Sequence, residues 1–251
     1  MQLEKIEEIE NNQINEDEHV FKMWEPIKFE IKDNYKYVNN GIIFKFFSTL
    51  LYIIVIPLLI IINKTLYGFK VYGKKNLKII KKGKITVSNH VHPMDCTMNA
   101  LCLVPHSLYF PTLETNFKIP VVRHIIRLLH AFPIPSKNSQ KKQFFNAIYE
   151  LLDKNKTVHF YPEASLWPYY KKLRKFKNGA FDIAVKKDVA IIPMVYKFVK
   201  PHGIWKLYKK KPLIELHILE PIYSDMNLKN KEAVNNLKEK VHKVMEEELN
   251  K

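Results

Sequence analysis

One uncharged apolar segment limits the folds open to this chain of 251 residues. Residues 46–62, FFSTLLYIIVIPLLIII, are 17 residues without a charge. As a helix they would be about 25 Å long, just short of a hydrocarbon core of about 30 Å. Three structures stay open: a helix that spans the membrane, a helix embedded in one leaflet and bent at Pro57, and a helix buried in a protein core.

The charges around this segment favour a membrane. The formal net charge is +16, although residues 1–19 hold seven acids and one lysine, so the rest of the chain is more basic than the total suggests. Eight lysines lie between residues 64 and 84, where they suit anionic headgroups on the cytoplasmic face. We therefore expect residues 41–66 to be a membrane-associated helix, with anionic membrane lipids as partners.

Residues 1–40 differ from the rest in composition, and we predict an acidic, partly disordered N-terminal segment there. It does not resemble a secretory signal, because such a signal starts with positive charge and has its apolar core near the terminus. The two cysteines, Cys96 and Cys102, exclude a disulfide framework. We expect buried free thiols in a reducing compartment, with a nucleophilic role for Cys96 as the alternative.

Residues 67–251 are predicted to form one α/β domain, because short apolar runs alternate with helical patterns. The predicted strands and helices share this alternation. The strands are residues 85–87, 108–110, 132–134, 157–161, 189–196 and 213–219, and the helices are residues 93–104, 117–129, 138–152, 178–187 and 228–249.

Residues 88–95, SNHVHPMD, follow the first of these strands and hold two histidines, a carboxylate and a proline. His90 and Asp95 are five residues apart, so on one helix their side chains would diverge by about 140°. Pro93 favours a helix start and keeps the residue before it out of helical geometry. A helix that begins at Pro93 would leave His90 in a loop where its imidazole meets the carboxylate. A histidine held in this way is an activated base for a substrate hydroxyl.

Four blocks in order resemble one known family. Asn89-His90-x4-Asp95 is followed about 70 residues later by Tyr161-Pro162-Glu163, then by FKNGA at 176–180 and IIPMV at 191–195. From about residue 70 to residue 200, the chain resembles the glycerolipid acyltransferases of the 1-acylglycerol-3-phosphate acyltransferase (lysophospholipid acyltransferase) family. The resemblance implies a mixed, mostly parallel sheet flanked by helices, with the apolar N-terminal helix as a membrane element. The lysines after that helix lead us to expect the catalytic domain on the cytoplasmic side.

The resemblance also implies an activity. A fatty acyl group would pass from an acyl thioester, on coenzyme A or acyl carrier protein, to a lysophospholipid hydroxyl, with 1-acylglycerol-3-phosphate as the expected acceptor. His90 is expected to deprotonate that hydroxyl and Asp95 to orient His90, with no cofactor beyond the acyl thioester. The oxyanion needs donors, and backbone amides at the helix start near Pro93 are the expected ones.

The third block places Glu163, with Pro162 and Ser165, at the substrate, although a carboxylate at a strand end also ties down loops. The family usually continues this block with Gly-Thr-Arg, whereas this chain reads Ala164-Ser165-Leu166 and lacks the arginine. These departures leave a different lysolipid acceptor open.

A second arginine is missing as well. The family's second block normally ends in an arginine associated with the acceptor phosphate, whereas this chain has Lys137 one position beyond the matching segment. We expect Lys137, Lys171, Lys172 and Arg174 to build a compensating phosphate site. A solvated basic loop is the alternative.

Three rival interpretations have weaker support. A metal site at His90, His92 and Asp95 lacks the spacing of metallohydrolases, so no metal is expected and His92 is predicted to cap a helix or pack. Residues 68–75 resemble a phosphate-binding loop but end in lysine instead of serine or threonine. Aromatic residues at 167, 169 and 170 suit nucleobases or a membrane interface, and the apolar segment favours the membrane over nucleic acid. A non-enzymatic basic membrane binder remains the alternative to an enzyme.

Overall fold

The computed structural model describes residues 28–32 and 34–251. The strands and helices of these residues alternate over most of the chain. The strands are β1 (Lys70–Tyr72), β2 (Lys84–Ser88), β3 (Leu108–Leu113), β4 (Ala131–Ile134), β5 (Thr157–Phe160), β6 (Ile191–Val199) and β7 (Leu213–Ile218). The α-helices are α1 (Ile42–Leu66), α2 (Asn76–Ile79), α3 (Asp95–Leu103), α4 (Val122–Leu128), α5 (Asn138–Asp153), α6 (Gly179–Lys187) and α7 (Asn230–Leu249), and the 3₁₀ helices are Glu114–Lys118 and Gly203–Leu207.

The seven strands form one sheet in the order β1-β7-β6-β2-β5-β3-β4. Neighbouring strands are parallel except β6 and β7, which are antiparallel. This architecture confirms the predicted mixed, mostly parallel sheet flanked by helices. Because β2 and β5 are parallel neighbours, the loops that follow them leave the sheet at the same edge, where open α/β sheets bind ligands.

Successive side chains of each strand point to opposite faces of the sheet and pack into two cores, one on each face. Ile85 and Val87 of β2 belong to the cluster that contains the apolar residues of α5, α6 and α7. Met194 of β6 belongs to the other cluster, with Met98 of α3. Thr86 and Ser88 alternate with these two residues along β2, so they point toward α3 and place a polar layer between the sheet and that helix.

Helix α1 lies along the domain with one stripe of its surface. Its partly or fully buried positions are residues 44, 48, 51, 52, 55, 56, 59, 62 and 63, which share one helical face. Ser48 and Asn63 are both buried, and 15 residues of helix separate them by about 22 Å. Ser48 Oγ donates to the carbonyl oxygen of Leu128 at 2.7 Å.

The rest of the α1 surface is apolar and exposed, from Ile42 and Phe46 to Ile61 and Leu66. By length and composition this helix is long enough to cross a membrane. Its exposed apolar face contradicts the interpretation of a buried core helix, because a core helix would have that face covered.

Two of the predicted helices differ from the structure, one by changes of one or two residues at both ends and one by being divided. The helix predicted from Pro93 begins at Asp95, and residues 93 and 94 form the turn before it. The helix predicted over residues 117–129 is instead a 3₁₀ turn followed by the short helix α4. Pro120 interrupts it, because proline lacks the N–H that a helix interior needs, and Val121 has a φ of 63°.

Residues that precede α1 join the core, which the sequence did not indicate. Ile31 and Tyr37 are buried in the cluster that contains α5. Gln140 Nε2 donates to the carbonyl oxygen of Ile31 at 2.5 Å, and the Tyr37 ring meets that of Phe144 edge-on at 5.7 Å. The partly disordered segment predicted for residues 1–40 also includes residues 1–27 and 33, which lie outside those that the structure describes.

Candidate active site

The ends of β2 and β5 position the candidate site. Thr86 pairs with His159 and Val87 with Phe160 across these strands. The turn after β2 carries His90, and the turn after β5 carries Tyr161. Asn89 fixes the first turn, because its side chain exchanges two hydrogen bonds with the backbone of Tyr196 on β6, at 2.8 and 3.1 Å.

The predicted contact between His90 and Asp95 is present. His90 Nδ1 lies 2.7 Å from Asp95 Oδ2. The Asp95 side chain is 1% exposed, whereas that of His90 is 21% exposed. A carboxylate partner assigns the proton to Nδ1, which leaves Nε2 as the basic nitrogen. The imidazole therefore has one nitrogen fixed from inside and a partly exposed ring.

Tyr161 holds both members of this pair. Its hydroxyl donates to Asp95 Oδ1 at 2.7 Å, and its ring stacks on the His90 ring with centroids 3.9 Å apart and planes 16° apart. Burial and the negative Asp95 raise the pKa of Tyr161 well above its usual value, so the phenol stays a donor. Sequence reasoning named Tyr161 only as part of a block and missed this role, because the contact spans 66 residues.

A buried polar network continues from Asp95 toward the sheet. Asn99 Nδ2 lies 2.9 Å from His159 Nε2, and His159 Nδ1 lies 2.9 Å from Thr86 Oγ1. Tyr196 donates to Asn99 Oδ1 at 2.7 Å. Burial lowers the pKa of His159 to about 3, although the negative charge of Asp95 acts in the opposite direction, so the ring is neutral at pH 7. With Asn99 as donor to Nε2, the ring proton sits on Nδ1.

Glu163 forms a buried ion pair below the catalytic turn. Its Oε2 accepts from Arg174 Nη2 at 2.9 Å and from the backbone N–H of His90 at 3.2 Å. Its Oε1 accepts from the Arg174 backbone N–H at 3.0 Å. Arg174 also donates to the hydroxyl and the carbonyl oxygen of Ser165. Glu163, Ser165 and Arg174 are thus joined, and all three are buried.

The substrate-binding roles predicted for these residues stay predictions, although their surroundings differ from the sequence interpretation. Arg174 was expected in a basic loop that receives phosphate, whereas its guanidinium lies beneath the turn with Trp167 stacked 4.6 Å from it. Trp167 is itself buried, so its ring does not face a nucleobase or a membrane interface. Pro162 is buried too, and its carbonyl oxygen accepts from the Lys177 N–H at 2.8 Å.

Residues 167–171 run beside the catalytic turn. The N–H of Trp167 donates to the carbonyl oxygen of His90 at 3.0 Å, and that of Tyr169 to Val91 at 2.8 Å. Lys171 is exposed and lies two residues beyond Tyr169, so it follows the segment that is bonded to the catalytic turn.

Lys137 lies elsewhere, after β4. That strand is three positions from β2, about 14 Å at the usual strand spacing. The Lys137 ammonium is exposed and lies 3.7 Å from a carboxylate oxygen of Glu30. Among the predicted phosphate residues, Lys137 is therefore separated from Lys171, which follows a segment bonded to the catalytic turn.

His92 packs against aromatic rings, one of the two roles predicted for it, and holds the turn before α3. Its Nδ1 accepts from the Met94 N–H at 3.1 Å, and its ring meets those of Tyr67 and Tyr169. Burial lowers its pKa. Within residues 28–32 and 34–251, no three His, Cys, Asp or Glu side chains are grouped as metal ligands.

The helix start does not offer the free amides that we expected for an oxyanion. The N–H groups of Met94 and Asp95 already donate to His92, and the His92 N–H donates to Asp95 Oδ2 at 3.4 Å. These bonds hold the turn together instead. Burial raises the pKa of the Cys96 thiol to about 12, which argues against a thiolate nucleophile at neutral pH.

Comparisons with known proteins agree with this geometry. A family model described as Acyltransferase matches residues 68–197, more than half of the chain. The chloroplastic 1-acyl-sn-glycerol-3-phosphate acyltransferase LPAT1 of Arabidopsis thaliana is 27% identical over 129 residues, which are 51% of this chain and 35% of the relative. The match thus spans about a third of that relative's length.

The fold has a solved counterpart. The crystal structure of the 1-acyl-sn-glycerophosphate (LPA) acyltransferase PlsC from Thermotoga maritima matches with a TM-score of 0.52 and 21% identity, over 82% of this chain and 93% of that one. At this identity the match shows a shared fold. The family model covers all four sequence blocks together with the His90–Asp95 contact. The chain therefore belongs to the Acyltransferase family, the class of enzyme that its motifs predicted.

Proposed function

We propose that this chain transfers a fatty acyl group from an acyl thioester to the free hydroxyl of 1-acylglycerol-3-phosphate. The observation that carries the proposal is the 2.7 Å contact between His90 Nδ1 and Asp95 Oδ2 in a member of the Acyltransferase family. The names of the Arabidopsis and Thermotoga proteins supply the acceptor. Coenzyme A or acyl carrier protein supplies the thioester.

In this mechanism His90 is the general base. Nε2 takes the proton of the acceptor hydroxyl while its oxygen attacks the thioester carbonyl, and the thiol leaves with a proton returned from the imidazolium. The buried Asp95 carboxylate stabilises the imidazolium and fixes the tautomer. Tyr161 satisfies the second oxygen of Asp95, so the carboxylate is held from two sides.

Glu163 and Arg174 act as positioning residues. Glu163 accepts from the backbone N–H of His90, and the paired guanidinium neutralises the carboxylate in its buried place. The two residues therefore fix the loop that carries the base. This role accounts for the burial of Arg174, because its guanidinium is the cation that pairs with Glu163.

Helix α1 is proposed to lie in one leaflet. A helix that crossed the bilayer would not keep a water-soluble domain packed along the 22 Å or so between Ser48 and Asn63. A helix parallel to the surface keeps its docked stripe on the domain and places its apolar face in lipid. Anionic lipids are then natural partners. Deleting residues 41–66 should greatly weaken binding to vesicles, and unchanged sedimentation with them would contradict this anchor.

The decisive experiment measures acyl transfer by the full chain in vesicles. Radiolabelled oleoyl-CoA and acyl carrier protein thioester are tested against a panel of lysolipids that differ in headgroup. The His90→Ala variant should lose about a thousandfold in kcat/KM, which is the usual contribution of a general base. Exposed His124→Ala is the matched control and should keep wild-type activity.

Each outcome separates the candidate functions. Transfer to 1-acylglycerol-3-phosphate that depends on His90 supports the proposal. Transfer to a different lysolipid only would keep the chemistry and replace the acceptor. Full transfer by His90→Ala would exclude His90 as the base. Vesicle binding with no transfer to any acceptor would instead indicate a basic membrane-binding protein.

A further inference from the structure

The connection between β6 and β7 ends in an exposed apolar tip. Ile204, Leu207 and Tyr208 are 65%, 85% and 61% exposed. They lie on or next to the 3₁₀ helix Gly203–Leu207, so three large apolar side chains stand within five residues. Single exposed apolar residues are ordinary on protein surfaces, but a compact group with a charged surround indicates an interaction site.

The charged residues of this connection are all basic. The connection, residues 200–212, reads KPHGIWKLYKKKP and has five lysines with no aspartate or glutamate. Apolar side chains flanked by lysines are the composition of segments that bind anionic bilayer surfaces, where the lysines meet headgroups and the apolar groups enter the acyl boundary.

The tip is fixed to the end of α1. The Trp205 ring lies against Gly68, close enough that a Cβ there would be 3.4 Å from it. Lys209 Nζ donates to the carbonyl oxygen of Leu66, the last residue of α1. Lys70 Nζ is 3.3 Å from His202 Nε2. The apolar tip therefore adjoins the exposed end of the apolar helix and moves with it.

We propose that residues 203–211 are a second membrane-contact site, which inserts Ile204, Leu207 and Tyr208 into an anionic leaflet beside α1. Charge complementarity selects an anionic partner, and continuity with the exposed apolar surface of α1 selects a lipid bilayer over an acidic protein. Helix α1 and residues 203–211 would then both contact the bilayer, and Trp205 and Lys209 hold them together. Two such contacts fix the tilt of the domain relative to the membrane, whereas a single helix would not.

The site is connected to the catalytic turn. Lys211 Nζ lies 5.8 Å from the Tyr169 ring, and the Tyr169 N–H donates to Val91, the neighbour of His90. Membrane contact at the tip thus sets the height of this edge of the sheet above the lipid. The inference concerns binding and does not depend on acyl transfer.

The test places a probe on the tip of the full chain. The Leu207→Cys variant is labelled with an environment-sensitive fluorophore and reconstituted into vesicles of phosphatidylcholine, with or without about one third phosphatidylglycerol. Cys102 is buried and Cys96 is partly buried, and burial raises the pKa of both thiols to about 12, which slows their reaction with the label relative to an exposed cysteine. Brominated acyl chains then report contact with the hydrocarbon.

The matched control carries the same label at Met226, which is 76% exposed and follows the opposite end of the antiparallel strand β7. We expect brominated lipids to quench the probe at residue 207 several-fold more than the probe at residue 226. Lys206→Gln/Lys210→Gln should reduce that quenching in anionic vesicles, whereas Lys240→Gln/Lys243→Gln on α7 should not. Ile204→Ser/Leu207→Ser should lower the apparent affinity for these vesicles by about tenfold.

Equal quenching at both positions in chains that float with the vesicles would overturn the proposal. A probe at residue 207 that responds to acyl carrier protein in the absence of lipid, but not to vesicles, would assign the patch to an acidic protein. If the unsubstituted chain showed no acyl transfer while the probe at residue 207 was still quenched, the proposed enzyme activity would be contradicted and the membrane-contact site would be supported.

Discussion

The catalytic turn and the exposed lysines predicted to hold the acceptor phosphate differ in burial and in how many hydrogen bonds fix their side chains. Asp95 is almost fully buried and both of its oxygens accept hydrogen bonds, from His90, Tyr161 and the His92 backbone. Lys137 and Lys171 are exposed on separate segments. A buried polar group that lacks a partner is costly, so the turn has one stable arrangement, whereas exposed ammonium groups move freely.

This contrast explains where sequence reasoning succeeds. The five-residue spacing and Pro93 were enough to predict that His90 meets Asp95, because the contact is local. Arg174 was grouped with the lysines because it is basic and near them in sequence. Its burial depends on Glu163, Ser165 and Trp167 meeting around it, which a charge pattern does not encode.

The largest effect is expected from a substitution that breaks the buried ion pair of Glu163 and Arg174. Arg174→Met leaves the Glu163 carboxylate buried without its cation, so the free energy of unfolding should fall by about 3–5 kcal/mol. Urea unfolding in detergent micelles, followed by tryptophan fluorescence, measures it. The exposed neighbour Lys175→Met should change it by under about 0.5 kcal/mol.

The double variant Glu163→Gln/Arg174→Met sharpens this result. It removes both charges together, so it should recover much of the stability that Arg174→Met loses. If Arg174→Met cost less than about 1 kcal/mol, the guanidinium would be solvated, and Arg174 would return to the phosphate-binding group.

The second effect comes from His159 and depends on pH. Its pKa is 6.5 in an unfolded chain and about 3 in the folded one, so between these values the unfolded state binds more protons. Stability due to the neutral ring is therefore complete above about pH 6.5 and is lost as pH falls, by up to about 1.4 kcal/mol per pH unit.

His159→Gln tests this without removing the side-chain hydrogen bonding. Between pH 5.5 and 4, roughly the middle of the window, wild type should lose about 2 kcal/mol more unfolding free energy than the variant. His92 and His130 also have lowered pKa values, but both proteins share that contribution. Parallel stability curves would show that His159 is solvated.

The third effect separates the hydroxyl of Tyr161 from its ring. Tyr161→Phe keeps the stack on His90 and removes the donor to Asp95 Oδ1. We expect kcat to fall about tenfold with KM unchanged, because a less constrained carboxylate orients the base less well. Tyr149→Phe on α5 is the control. A rise in KM with normal kcat would contradict the positioning role.

Most of the sheet was predictable, because β-branched apolar runs mark buried parallel strands regardless of their partners. The ends of the helices and the segment before α1 were less predictable. The helix predicted after residue 117 failed at Pro120, where the proline itself gave the warning, and the packing of Ile31 and Tyr37 had no local sign. The contacts of Tyr161 and Arg174 likewise join distant segments, so they required the fold.

The fourth effect concerns backbone strain in the third block. Ala164 has a φ of 68°, a conformation that a side chain disfavours and glycine adopts readily. Ala164→Gly should therefore raise the free energy of unfolding by about 1 kcal/mol. Ala147→Gly, inside α5, should lower it by about the same amount and serves as the control of opposite sign. Destabilisation by both would show that Ala164 is not strained.

The smallest effect tests the exposed lysines against each other. Lys171 follows the segment bonded to the catalytic turn, whereas Lys137 lies three strands from β2 and near Glu30. Lys171→Gln should raise KM for 1-acylglycerol-3-phosphate about threefold, the usual scale of an exposed charge pair, and leave KM for the acyl donor unchanged. Lys137→Gln should change neither constant. Equal increases in acceptor KM for both variants would mean that the acceptor phosphate is held by a diffuse positive field and not at one place, because only a long-range field acts alike on lysines so far apart.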